Sequence, residues 1–220
     1  MRSRLFYSDA YLDVQRRTLA LLNAQEAFLS THTLHSPRAT GDAVQDILAS
    51  TFAELLGDWS AEYSSSFARR AMADLAFRDI DDNYYVVDVK THRSDTKFNM
   101  PNLTSVERLA RFYEDDSNYF VVLMVRYSIK ETRALFSEVM FVPIEFLDWR
   151  CLTLGALGWG QIQIANSNRI LLNPHYSHRE WMLELCDILL EFYPKEIAKV
   201  AERIRHFETI RTFWLAKAEA

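Results

Sequence analysis

The chain has 220 residues, a formal net charge of −5 and 49% hydrophobic content. That length and apolar share suffice for one large globular domain with its own core, while the acidic balance argues against a protein that grips nucleic acid through a basic surface overall. Five Gly and five Pro are scattered through it, with no Ser- or Pro-rich stretch and no fixed-period repeat, so a single domain over 1–220 is expected.

In chain order, Ser8-Asp9 precedes Tyr11, Leu12, Val14, Leu19, Leu21, Leu22 and Phe28, a pattern that predicts an N-capped first helix. Gly41-Asp42 is expected to open a second helix, in which Val44, Ile47, Leu48, Phe52, Leu55 and Leu56 recur at helical spacing until Gly57 ends it. Met72 to Arg78 and Asn83 to Lys90 read as two strands joined at the turn signal Asp81-Asp82, hence a β-hairpin. Pro101 to Ser105 leads into a helix carrying Val106, Leu109, Ala110 and Phe112, and Tyr119 to Tyr127 is apolar enough for a strand buried on both faces. Leu135 to Val142, Gln161 to Ala165 and Arg169 to Leu172 add strands. His178 to Ala216 turns helical again, with Trp181, Leu185, Ile188, Leu189, Phe192, Ile197, Val200, Ile204, Phe207, Ile210 and Phe213 on one side and a break expected at Pro194. This order predicts an α/β fold, a mixed β-sheet flanked by helices.

The first residues, Met1 to Phe6, give way to polar positions rather than a secretory apolar segment, which places the protein in the cytoplasm. Lys130, Glu131 and Arg133 interrupt the longest apolar run, so no membrane span is expected. Cys151 and Cys186 lack the spacing of a zinc or redox site and read as thiols packed for their apolar character.

The chemistry gathers in the hairpin. Asp74 lies on the first strand opposite Asp88-Val89-Lys90 on the second, and the two-residue period puts Asp88 and Lys90 on one face with Val89 turned away. Two convergent carboxylates can hold Mg²⁺, and an ammonium beside them can orient a water or offset developing charge: the groups that phosphodiester hydrolysis needs. Asp-x-Lys on a strand alone is as readily an exposed ion pair. Here it follows the apolar run Tyr84 to Val87, where neither charge is normally left unpaired, and it runs into a basic, polar strand exit with Thr91, His92, Arg93 and Lys97.

The stretch Ala73-Asp74-Leu75, then Asp88-Val89-Lys90-Thr91, then Pro101-Asn102, Ser105 and Leu109-Ala110, resembles the active-site region of type II restriction endonucleases of the PD-(D/E)xK superfamily, in their EcoRV-like, blunt-cutting branch. Fainter echoes are Gly41-Asp42, the small-residue stretch Gly155 to Gly158 before Gln161-Ile162-Gln163, and Arg179-Glu180-Trp181. The resemblance implies a restriction-endonuclease-like core with a catalytic hairpin at 72–91, DNA-contact segments at 92–105 and 155–165, and C-terminal helices at 178–217. It implies catalysis by Asp74, Asp88 and Lys90, with Mg²⁺ on Asp74, Asp88 and the Val89 carbonyl. Asn102 matches a position that reads a base edge, a task suited to an amide. Asn99 stands where these enzymes insert a glutamine between bases. Thr91 borders the site, Ser105 belongs to the same stretch, and the loop holding Ala156, Gln161 and Gln163 is a second contact. The implied substrate is double-stranded DNA cut at a short palindrome by a homodimer, with a DNA methyltransferase as a possible companion on the same site. Two departures stand out: Gln45 lies where a third carboxylate is found in related enzymes, and Asn99 replaces the glutamine.

A repair- or resolvase-type nuclease of the same superfamily would share the three catalytic residues, and a non-catalytic DNA-binding protein could share the fold. Arg69 and Arg70 read equally as backbone contacts or as an exposed pair. Arg203, Arg205, His206 and Arg211 read as a solvated face. The aromatic stripe Trp181, Phe192, Phe207, Phe213 and Trp214 reads as core or dimer interface. No Gly-rich phosphate loop, Ser-His-Asp set or His-Glu-x-x-His motif is present.

Overall fold

The structure, a computed structural model, describes residues 2–25, 36–63, 73–131 and 133–217. Phe28, Arg69, Arg70 and Met72 lie outside the described residues. The chain divides into two compact units, Met1–His178 and Arg179–Ala220.

In the first unit the elements run α1 (Ala10–Ala24), α2 (Pro37–Leu56), β1 (Ser60–Tyr63), β2 (Leu75–Asp79), β3 (Tyr84–Arg93), β4 (Asn102–Ser105), α3 (Val106–Phe112), β5 (Asn118–Lys130), β6 (Arg133–Pro143), β7 (Leu152–Gly155) and β8 (Gln161–Ile164). Five strands form a mixed sheet in the order β1-β2-β3-β5-β6. β3 and β5 are parallel from Tyr84↔Asn118 to Arg93↔Tyr127, and the other pairs are antiparallel. The coarse expectation of a mixed sheet flanked by helices is met.

The apolar run of β5 is explained by its position: residues Tyr119 to Val125 are buried, because the strand lies inside the sheet with structure on both faces. Parallel β3 and β5 need a crossover, and the chain makes it through β4 and α3. The β2–β3 hairpin is closed by Asp79, which is buried and accepts hydrogen bonds from Asp81 N, Asn83 N, Asn83 Nδ2 and the Tyr85 hydroxyl. Asp82 takes the left-handed conformation at the tip (φ 63°), which Asp tolerates better than most residues.

α1 packs on β6 and α2 on β3. Phe52 of α2 is fully buried, its ring 6.2 Å from Phe77 of β2 and 5.6 Å from Phe141 of β6, centroid to centroid. β4, β8 and β7 form a separate three-stranded antiparallel sheet in that order.

Several boundaries depart from the sequence reading. α2 starts a turn before Gly41-Asp42, because Ser36 accepts a hydrogen bond from Ala39 N and Pro37 occupies the first helical turn, the combination that starts helices. Asp9 makes no side-chain cap on α1. Arg169 to Leu172 is not a strand: one bridge, Leu147↔Leu172, is all the pairing it makes among the described residues. β1, β4 and β7 were not foreseen as strands, each being only four residues long, too short for a period to register.

The described part of the second unit belongs to one helix, α4 (His178–Leu215), which begins at the last residue of the first unit. The break expected at Pro194 does not occur: the helix continues through it. A proline removes one intrahelical hydrogen bond and crowds the preceding turn, and Pro194 is exposed, where such a distortion is tolerated. No helix among the described residues is long and apolar enough to cross a membrane.

Phe52 links a helix to two strands, so Phe52→Ala is expected to destabilise the fold by about 3–5 kcal/mol. Urea unfolding followed by far-ultraviolet circular dichroism measures it, and a loss below about 1 kcal/mol would mean the α2–sheet packing contributes little.

Candidate active site

β2 begins one residue past the site, so Asp74, expected on the first strand, immediately precedes it. Leu75 pairs with Val87, so Asp74, the residue before β2, falls opposite Asp88. The ladder is carried one step further by Asp74 itself: its N–H donates to the Val87 carbonyl at 3.0 Å, and its Oδ2 accepts from the Val89 N–H at 2.7 Å. A carboxylate takes the place of a strand carbonyl, and this fixes Asp74 against β3.

Asp88 and Lys90 project from one face of β3. Lys90 Nζ donates to Asp88 Oδ1 at 2.7 Å, and the Lys90 side chain is 26% exposed against 8% for Asp88. The ammonium therefore sits at the rim and the carboxylate beneath it. Asp88 Oδ2 is buried and, among the described residues, has no hydrogen-bond partner. An unpaired buried carboxylate oxygen is costly. Burial pushes the Asp88 carboxyl up to about 7; Lys90 opposes that rise and the nearby Asp74 carboxylate adds to it. Two carboxyl groups facing each other, one with an oxygen aimed at nothing, suit a divalent cation with oxygen ligands.

α2 supplies the facing wall. A Cβ on Gly41 would lie 3.4 Å from Thr91 Oγ1, so the helix passes close to the end of β3. Gln45, one turn on, is half-buried. Among the described residues no three His, Cys, Asp or Glu side chains gather to hold a metal, so the available carboxylates are Asp74 and Asp88, supplemented by backbone oxygen such as the Val89 carbonyl.

The polar exit of β3 divides into two kinds of residue. His92 is 1% exposed, with Nε2 bonded to Asn168 Oδ1 at 2.8 Å and Nδ1 facing Asn99 Nδ2 at 3.5 Å. Its ring is a structural clamp, so the first residue of the expected DNA-contact segment 92–105 does not lie at the surface. Asn168 also donates to the carbonyls of Thr96 and Lys97, and Ser167 N donates to the Asn99 carbonyl, so the loop at 166–168 holds the segment after β3. Arg93 is paired with Asp95 at 2.6 Å. Lys97 is exposed and Thr91 half-buried.

Two segments that the sequence left far apart are neighbours. Asn102 pairs with Gln163 across β4 and β8, and Gln163 Nε2 donates to Asn102 Oδ1 at 2.5 Å. A Cβ on Gly155 would come within 3.0 Å of the Gln163 side chain, so glycine in β7 leaves the space in which that amide lies. Ala156 is exposed in the following loop beside Leu157 and Trp159, 69% and 58% exposed, and Gln161 is half-buried on β8. Ser105 is occupied differently: its hydroxyl caps α3 by accepting from Arg108 N.

One buried polar group escaped the sequence reading. Glu145 is fully buried, accepts from the Tyr113 hydroxyl at 3.2 Å, and is pushed by burial to about 7. Tyr113 in turn packs edge-on against His178 at 3.8 Å between ring centroids. Glu145 sits in a short helical turn, Ile144–Phe146, just past β6 and amid apolar neighbours, a segment that carries no motif. Asn168 was missed too, since a lone Asn in a loop carries no pattern.

No protein-family model matches the chain, and no curated protein matches it at a significant level.

A carboxyl raised from 3.8 to about 7 on folding costs stability as it ionises: with respect to this group the metal-free fold is most stable below about pH 4 and weakens until about pH 7. Asp88→Asn removes that slope, so in EDTA the variant should gain on the native protein more at pH 8 than at pH 5 by chemical denaturation. Glu145 titrates in the same range but cancels in the comparison. An equal difference at both pH values would contradict the buried, metal-free carboxyl.

Proposed function

We propose that the protein is a Mg²⁺-dependent endonuclease acting on double-stranded DNA, with Asp74, Asp88 and Lys90 as its catalytic residues. The observation that carries this reading is the Asp88 carboxylate, with one oxygen on Lys90 and the other buried and unpartnered opposite Asp74. A buried carboxylate oxygen without a partner is uncommon, and here it lies opposite a second carboxylate, where a divalent cation would supply the missing partner.

In this reading Asp74 Oδ2 keeps its bond to the Val89 N–H, and the outer oxygen of Asp74, the free oxygen of Asp88 and the Val89 carbonyl supply the ligand set. Held there, Mg²⁺ would supply Lewis acidity toward the scissile phosphate and a water of lowered pKa. Lys90 stands at the rim, where its ammonium orients the attacking water or offsets the charge gathering on phosphorus-bound oxygens. The attacking water forms a P–O bond and releases a proton to solvent, the scissile P–O ester bond breaks, and the departing ester oxygen takes up a proton. Burial of Asp88 couples the site to pH, because the ion binds the ionised carboxylate.

The DNA would lie against Lys97, Thr91 and the β4–β8 edge. There the Asn102–Gln163 pair offers amide hydrogens and carbonyl oxygens on an exposed surface, the groups that read base edges. The protein's acidity is compatible with this, since the cation supplies positive charge where the phosphate docks. Cutting at a short palindrome by a two-fold symmetric dimer, leaving blunt ends, is the specific form proposed, because equivalent half-sites match equivalent subunits.

Digestion of a long DNA of known sequence should give discrete fragments with Mg²⁺ and none with EDTA, and sequencing of their ends should return one short palindrome. Lys90→Ala is expected to lower the cleavage rate by about 10²–10³-fold while leaving DNA affinity, measured in Ca²⁺, within a few-fold. Intact DNA under Mg²⁺ and Mn²⁺ would overturn the reading. Nicking only at branched or mismatched structures would replace it with a repair-type nuclease.

A further inference from the structure

We propose that α4 is a dimerisation helix that pairs with the same helix of a second copy as an antiparallel two-stranded coiled coil. Leu190, Tyr193, Ile197, Val200, Ile204 and Phe207 recur at alternating intervals of three and four, and all are exposed. Leu190, Ile197 and Phe207 keep 73%, 69% and 67% of their surface in solvent, which water opposes and a partner would relieve. The spacing identifies the kind of partner. A helix covered by a globular surface carries a broad apolar stripe of period 3.6, whereas a strict seven-residue repeat stays in register only with another helix that supercoils around it. From Leu190 to Trp214 the seam would run for about 37 Å at 1.5 Å per residue.

Charge complementarity selects a second copy and its direction. In a parallel pair, Arg211, which continues the seam after Phe207, would face its own copy and put two guanidinium groups in one core layer. In an antiparallel pair centred between Ile197 and Val200, Ile197 meets Val200 of the other copy and Leu190 meets Phe207. Glu196 on the flank then faces Arg203 of the other copy, twice by symmetry. Arg211 moves to the end of the seam, where it lies between Glu208 of its own helix and Asp187 of the other copy, two carboxylates that would otherwise repel. Among the described residues Arg203 has no carboxylate partner within its own chain, while Glu196 is held by Lys199 at 2.7 Å on the same side. Such an interface is isologous and closes at two copies. The inference assigns an interface to the two-fold dimer proposed above, and it is argued from α4's own residues, so a failed coiled coil would leave the nuclease site to its own test.

The full chain should sediment at twice its monomer mass at micromolar concentration. Ile197→Asp combined with Ile204→Asp should weaken dimerisation at least 100-fold with an unchanged circular dichroism spectrum, since both side chains are exposed in the single chain. Glu196→Arg should weaken the dimer about tenfold or less, as rim charges do, and Arg203→Glu in the same chain should restore it. A monomeric native chain, or a dimer indifferent to the double aspartate variant, would overturn the proposal. An effect of Arg203→Glu alone, with none from Glu196→Arg, would overturn the antiparallel arrangement.

Discussion

A carboxyl group placed inside a sheet has to be satisfied by something, and Asp88 is satisfied only by half. β3 carries it into the interior because the strand is paired on both sides and roofed by α2, so water cannot reach the second oxygen. Lys90, two residues on, reaches the first oxygen from the rim. Asp74 is positioned not by its own strand but by the neighbouring backbone, since its side chain accepts the Val89 N–H just before β2 begins. The three groups are thus held by backbone register, which is stiffer than side-chain packing, and the sheet must stay in that register for the cluster to exist.

The second sheet is attached to the first at the point where β3 runs out. Asn168 bonds His92, Thr96 and Lys97 at once, and Ser167 accepts from Arg126 of β5 through its carbonyl. A buried imidazole with both nitrogens facing amides fastens the segment from inside the fold without an ion pair. The segment that carries Asn99 and Asn102 is therefore tied at both ends.

Much of this was legible in the residues. The hairpin was visible because its turn signal, Asp81-Asp82, separates two runs of strand-forming residues, and alternation along Tyr84 to Lys90 correctly placed Asp88 and Lys90 on one face. The apolar stretch of β5 announced a doubly covered strand. What the residues concealed were features made by partners distant in sequence. β4 joins β8 across some sixty positions, which no local pattern announces, whereas β7 and β8 are a local pair in which β7 is only four residues long, and His92 looks polar until Asn168 arrives to bury it. α4 differs in another way: Pro194 is exposed and the helix runs through it, so the expected break is absent. Propensity at one exposed position yielded to the continuity of the helix.

The tie between β3 and β4 acts as a spacer of fixed length. Arg93 ends the strand that bears Asp88 and Lys90, and Asn102 begins the strand that bears the exposed amides, with only Ser94 to Pro101 between them. Because that span is pinned to 166–168 rather than free to slacken, the distance from the carboxylates to the amide pair is built into the polypeptide itself. Lengthening or shortening the span by one residue would move one end of this gauge against the other, and so would change the reach from the carboxylate cluster to the exposed amide pair.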